Sequence, residues 1–261
     1  MGVIKFNLGK LKHEGAPLLR YTLGGVELNP LLGQEIRLAF TGRISCVACG
    51  RNIKKTFAQG HCYPCFQKLA ACDSCIMKPE LCHFAKGTCR EPDWAASHCF
   101  IPHIVYLANT TGLKVGITRE HQKLTRWGDQ GAVAAMALCR VPERKLAGLI
   151  ERQLAEVVSD RTDWRALITG RGESYDLAAE ALRVLEALGS EFEDFRLSGE
   201  ELFRFEYPVN KYPEKAVTID LEKEPRINGS LDGIRGQYLF ISGRAINIWK
   251  FSGYEVEWGV G

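Results

Sequence analysis

Residues 46–65 read CVACGRNIKKTFAQGHCYPC, two Cys-x2-Cys pairs, Cys46/Cys49 and Cys62/Cys65, separated by twelve residues. Each pair presents two sulfurs from one tight turn, and two such turns complete a tetrahedron around a single ion. Gly50 suits the turn because it permits a close backbone approach. Four thiolates leave no open coordination position, so the expected metal is a structural zinc. The competing readings are two disulfides or inert core thiols.

Nine of the ten cysteines fall between Cys46 and Cys99, and Cys139 alone lies outside. The rest of the cluster offers Cys72, Cys75, Cys82, Cys89 and Cys99, more ligands than one metal uses. A second zinc on Cys72, Cys75 and two of Cys82, Cys89 and Cys99 is expected, with an iron–sulfur cluster as the alternative, since it too is held by thiolates. His61, His83 and His98 are read as polar or hydrogen-bonded residues. The segment is poor in apolar residues, and zinc binding of order 10–16 kcal/mol replaces the burial it lacks. Cys139, in an apolar neighbourhood, reads as a small buried hydrophobe.

Outward from this module, Leu18–Leu23, Val26–Leu28 and Ile36–Ile44 read as strands, with Gly24-Gly25 as a turn. At the other end Ile234–Ile241, Ala245–Phe251 and Tyr254–Trp258 alternate in the same way. The expectation is an α+β protein. Terminal β blocks over 1–45 and 206–261 pair as one small sheet or barrel. The zinc module over 46–102 is inserted between them, ahead of a central domain over 103–205. Tyr238, Phe240, Trp249, Phe251, Tyr254 and Trp258, among Arg235, Arg244 and Lys250, are read as core rings in preference to a base-stacking surface.

In the middle part, Ile104–Asn109 and Leu113–Thr118 form a hairpin around Thr110-Thr111-Gly112. A helix runs from Pro142 to Val158 with Leu146, Leu149, Ile150, Leu154 and Val157 as its stripe and Glu151 on the border. A second helix spans Asp176–Leu188. Glu191, Glu193, Asp194, Glu200 and Glu201 after it read as a solvated acidic surface.

The order Val105-Tyr106-Leu107, Lys114-Val115-Gly116-Ile117-Thr118-Arg119, Arg126 and Glu151 resembles the GIY-YIG nuclease domain over residues 103–170. The resemblance implies catalytic roles for Tyr106 (first tyrosine), Lys114 in the second motif, Arg126 and the metal ligand Glu151. Arg119 and Lys123 are expected to bind substrate. Lys114 stands where most members carry a second tyrosine, and one branch has Lys-Ile-Gly there. Ala155 stands where that branch often has a histidine. The paired Cys-x2-Cys, Pro-Glu-Leu-Cys-His, Gly-Thr-Cys-Arg-Glu-Pro and Gly-Leu-Lys-Val-Gly-Ile-Thr-Arg segments also resemble, over most of the chain, a zinc-ribbon-containing family known as a domain of unknown function.

The chemistry expected of such residues is phosphodiester hydrolysis. Glu151 would hold Mg or Mn, Arg126 would give planar bidentate contacts to phosphate, and Tyr106 would position or deprotonate water. Lys114 would assist it or bind phosphate. The alternatives are a non-catalytic zinc-containing nucleic-acid or ribosome-binding module, and an iron–sulfur, redox or metal-sensing protein.

Composition bounds these readings. Of 261 residues, 46% are hydrophobic and 25% charged, which excludes long disorder. No stretch approaches the ~20 apolar residues of a membrane helix, and MGVIKFNLGK lacks a signal core, so a cytoplasmic protein with no membrane partner is expected. The net charge of +3 is uneven: residues 1–170 hold 23 Lys and Arg against 14 Asp and Glu, and residues 171–261 hold 11 against 17. A basic front fits a DNA or RNA partner for that part. Two four-thiolate zinc sites would reduce its +9 to about +5.

Overall fold

The computed structural model describes residues 2–159, 161–199 and 201–261. Its contacts divide the chain into two units, Met1–Phe66 with Trp164–Arg171 and Phe205–Gly261, and Gln67–Asp163 with Gly172–Arg204. The cysteine-rich stretch is thereby shared: the first two Cys-x2-Cys pairs lie in one unit and the remaining cysteines of the stretch in the other. No helix among the described residues is long and apolar enough to cross a membrane.

In the first unit, alternating residues from both chain ends build one open antiparallel sheet of seven strands. Ile4–Asn7 pairs with Tyr254–Val260, which pairs with Glu35–Ser45, and that strand pairs with Arg226–Arg235. Tyr238–Ile241 and Arg244–Asn247 extend the sheet as a meander, and Asn52–Ile53 pairs with the far end of Glu35–Ser45. No sheet closes into a barrel. A separate three-stranded sheet holds Lys12–Glu14, Arg20–Leu23 and Val26–Glu27. The strand read as Ala245–Phe251 stops at Asn247. There the Asn247 side chain accepts from Lys250 N at 3.1 Å, and Trp249–Phe251 turns as a 3-10 helix. Phe240, Phe251, Tyr254 and Trp258 are buried, so these rings fill the core and do not face a nucleic acid.

The second unit is built on a four-stranded antiparallel sheet in which His103–Asn109 lies between Leu113–Arg119 and Ala134–Val141, with Phe203–Arg204 beyond the latter. Val105, Leu107, Val115 and Ile117 point to one face, as alternation requires. Ala147, Ile150 and Leu154 of the helix Arg144–Leu154 cover that face with Ala181 and Val184 of Leu177–Glu186. The first of these helices is shorter than the Pro142–Val158 pattern. The second is capped by Asp176, whose carboxylate accepts from Ala178 N and Ala179 N. Cys139 is fully buried and burial raises its thiol to about 12, which keeps it a neutral hydrophobe. Glu191, Glu193, Asp194 and Glu201 are exposed, and Glu200 lies outside the described residues.

Candidate functional site

Two sites emerge, one in each unit. In the first, the Cys46 carbonyl accepts from Gly50 N and Cys46 N donates to Arg51 O, closing a turn that needs the left-handed backbone of Gly50 (φ 72°). The second turn is set by a short ladder between Phe57 and His61. Gly60 leads into it with φ 102°, and a Cβ there would stand 2.7 Å from Ser252 O, so only glycine allows the knuckle to seat on the Ser252-Gly253 turn. The result brings the sulfurs of Cys46, Cys49, Cys62 and Cys65 within 4.8 Å of one another, with Cys49 and Cys62 3.8 Å apart.

A tetrahedral ion with Zn–S bonds of ~2.3 Å needs sulfurs ~3.8 Å apart, so this set fits zinc. All four thiols are free, which removes the disulfide reading. Burial opposes ionisation of Cys46, but backbone donors at Cys49, Cys62 and Ala48 outweigh it and hold the thiol at about 6. Cys65 is pushed up to about 12, first by its hydrogen bond to Cys62 and then by burial and the other two sulfurs. Cys49 is lowered as well, first by its backbone hydrogen bond at Arg51, so two sulfurs ionise readily while Cys65 resists, a conflict that a divalent cation resolves.

The second site lies on the hairpin of the other unit. Tyr106 stands opposite Gly116, and a Cβ on Gly116 would lie 2.5 Å from Tyr106 Oη, so the phenol ring occupies the space that glycine leaves. The edge of Trp127 packs against it at 5.7 Å between ring centres. Gln130 holds the hydroxyl. With its amide oriented by the network, the nitrogen donates to Tyr106 Oη at 2.7 Å, and the oxygen accepts from Arg126 Nη2 and Nε at 3.0 and 3.1 Å. Tyr106 is fully buried, and burial raises its pKa; Arg126 opposes the rise and Glu151 reinforces it. The phenol, the guanidinium and the carboxylate therefore share one electrostatic neighbourhood.

The other residues singled out in the sequence are spread around this core. Lys114, opposite Ala108 on the hairpin, is buried, and Arg126, Glu151 and Arg119 are half-buried. Lys123 opens the helix Lys123–Asp129 and rests over the Phe203 ring at 5.1 Å. Arg144 was not among the sequence candidates. It is mostly buried, and burial lowers its pKa; Cys99 and Glu151 counter this, and Arg126 and Arg119 add to it. Arg144 thus lies within electrostatic reach of Glu151, Arg126 and Arg119. The spacing of Arg144 and Glu151, seven residues along one helix, puts them on one face and is the signal that marks the pair.

His103 begins the same strand and is also absent from the sequence reading. Its Nδ1 contacts Ile101 O at 2.7 Å, its Nε2 is buried without a partner, and burial lowers its pKa to about 4. Its neutrality follows from this burial beside Arg144 and Arg119.

Helix Arg144–Leu154 is held from the cysteine-rich side. A Cβ on Gly148 would meet Pro79 Cβ at 2.6 Å and Glu80 N at 2.9 Å, so the Pro79–Leu81 turn sits directly on the helix. Arg144 N also donates to Cys99 O, and its Nη2 to Ile76 O. His61 and His98 make local contacts to Ala58 O and to Trp94 O and Ser97 Oγ, in keeping with hydrogen-bonded residues.

A family described as Protein of unknown function (DUF2797) matches residues 33–256, a span that takes in both sites. The chain belongs to this family. No curated protein and no solved structure matches it. Membership in the DUF2797 family brings no assigned activity, so the chemistry rests on the residues themselves.

Proposed function

We propose that the second unit is a nucleic-acid-binding domain that hydrolyses phosphodiester bonds with a divalent metal. The observation that supports this reading is electrostatic: Arg126 and Glu151 both act on the buried Tyr106 hydroxyl, and both act on Arg144. Arg126 and Arg119 give planar donors for phosphate oxygens, and Arg144 adds fixed positive charge behind them. Glu151 would hold Mg or Mn, which would supply Lewis-acid stabilisation of the leaving oxygen. A lone carboxylate suffices when phosphate completes the shell.

The burial of Tyr106 changes the role its position suggests. A phenol sealed from water and raised in pKa does not take a proton from a nucleophile. It acts as a positioning residue that fixes Arg126 through Gln130. The Cys46–Cys65 zinc is structural in this account and takes no part in the reaction. The same burial of Tyr106 and Lys114 favours a second reading, a phosphate-binding module without turnover.

The experiment is cleavage of labelled DNA and RNA with Mg or Mn. The first reading expects cutting that chelation stops and that Glu151→Ala abolishes in a folded protein. Cutting unchanged in Glu151→Ala removes the metal assignment, and binding with no metal-dependent cutting selects the second reading.

A further inference from the structure

The segment that follows the first zinc pairs folds around one small enclosed cavity whose lining includes Cys75, Cys82, Cys89 and Cys99. Cys75 lies on the short helix Ser74–Met77 and the other three on the loops and turns that follow, with six, six and nine residues between successive cysteines. Cys72 is not among the lining residues. Phe84 and Phe100 meet edge to face at 4.6 Å on the cavity wall. None of the four is in a disulfide.

The spacing of the sulfurs distinguishes this site from the first. Among the described residues, two groups have ligand atoms all within 4.8 Å of one another: the Cys46 set, and Asp73 with Cys75 and His83. No three of Cys75, Cys82, Cys89 and Cys99 meet that limit. One zinc ion requires all its sulfurs at ~3.8 Å from each other. A four-iron cluster takes each thiolate on a different iron, so its sulfurs stand farther apart around a larger body.

The closer group is already engaged. Asp73 pairs with Arg90 at 2.8 Å and with His83 Nε2 at 3.4 Å, and His83 Nδ1 contacts Thr88 Oγ1 at 2.8 Å. The histidine thus has both ring nitrogens in use and lies outside the metal shell. Two further features suit a cluster of net negative charge. Arg144 and Arg119 are within electrostatic reach of Cys99. Arg144 Nε is a buried donor with no partner. A sulfide or thiolate is an acceptor for it, and hydrogen bonds to cluster sulfurs are a usual part of such sites.

We infer that Cys75, Cys82, Cys89 and Cys99 hold a [4Fe–4S] cluster. It anchors the segment that buttresses helix Arg144–Leu154, through Cys99 O to Arg144 N and through the Pro79–Leu81 turn to Gly148. The assignment does not depend on whether the neighbouring arginines bind nucleic acid.

The test is metal and sulfide analysis of the full chain purified without oxygen from iron-supplied cells. The expected result is a brown protein with about four iron and four sulfide per chain, together with one zinc. Cys82→Ser and Cys89→Ser then lose the iron and keep the zinc, whereas Cys49→Ser loses the zinc and keeps the iron. Where these variants fail to fold, alkylation of the wild-type chain decides: Cys75, Cys82, Cys89 and Cys99 become reactive only when iron is removed. A colourless protein with two zinc ions and no iron overturns the inference. So does iron content unchanged in Cys82→Ser, or reactivity of the four thiols in the iron-loaded protein.

Discussion

Gly116→Ala isolates the packing on which the candidate site depends. The added Cβ would stand 2.5 Å from Tyr106 Oη and 2.7 Å from Cζ, and both belong to a ring that is fully buried. The ring cannot swing outward, because Trp127 lies against it and Gln130 holds its hydroxyl. Overpacking of this kind costs about 1–3 kcal/mol, and losing the hydroxyl's hydrogen bond adds about 1 kcal/mol. The sum, roughly 2–4 kcal/mol, lowers the melting temperature by about 5–15 °C at the 2–4 °C per kcal/mol usual for units of this size. Urea and thermal unfolding followed by circular dichroism measure it. Tyr106→Phe removes the nearer of the two clashing atoms and leaves Cζ, so the double variant is less destabilised than the sum of the singles, by about 1 kcal/mol. Additive singles, or a Gly116→Ala protein as stable as the wild type, would show that the tyrosine does not occupy the space over Gly116.

Three further outcomes follow from the same structure. Cys49→Ser leaves three thiolates and abolishes stoichiometric zinc binding; because structural zinc contributes of order 10 kcal/mol in such modules, limited proteolysis then cuts within 46–65, and retained zinc with unchanged protection would contradict the assigned ligands. His103 is held neutral in the folded state at about 4, below its unfolded value, so its contribution is complete above about pH 6.5 and is lost as pH falls toward 4. Roughly 3 kcal/mol of stability is lost across that window, and His103→Gln removes this part of the slope; an unaltered stability–pH profile in the variant refutes the burial argument. Gly148→Ala forces a Cβ into Pro79 and the backbone of Glu80 and destabilises the unit by about 1–3 kcal/mol; a neutral effect in chemical denaturation would mean that the turn does not rest on the helix.

Much of the fold is legible because local pattern and tertiary environment agree. Alternation over Ile104–Thr118 marks the hairpin, which the structure places at His103–Asn109 and Leu113–Arg119. The two Cys-x2-Cys turns mark four sulfurs that converge, since each knuckle is local and only one long-range approach is needed. The second cysteine cluster lacks that help. Its lining thiols lie on one short helix and separate loops, and the Cys-x2-Cys at Cys72 and Cys75 draws the eye to a residue the cavity lining omits. Burial is equally hard to read: nothing local distinguishes Tyr106 as a sealed ring from a solvent-facing catalyst, because the difference lies in Trp127 and Gln130, more than twenty residues away. Arg144 escapes notice for a related reason, since a basic residue early in a helix reads as a surface charge until Cys99, Arg119 and Glu151 are brought around it.

Under the proposed function Arg119 and Arg126 present their charge to phosphate, with Arg144 buried behind them. Each phosphate neutralised on duplex DNA contributes about −0.9 to the slope of log affinity against log salt, so two give about −1.8, or a roughly 12-fold loss of affinity between 50 and 200 mM salt. Fluorescence anisotropy over that range measures it directly. The wild-type slope is expected to be about −1.8 and that of Arg119→Gln about −0.9. A slope near zero in the wild type, or one that Arg119→Gln and Arg126→Gln leave unchanged, contradicts the account.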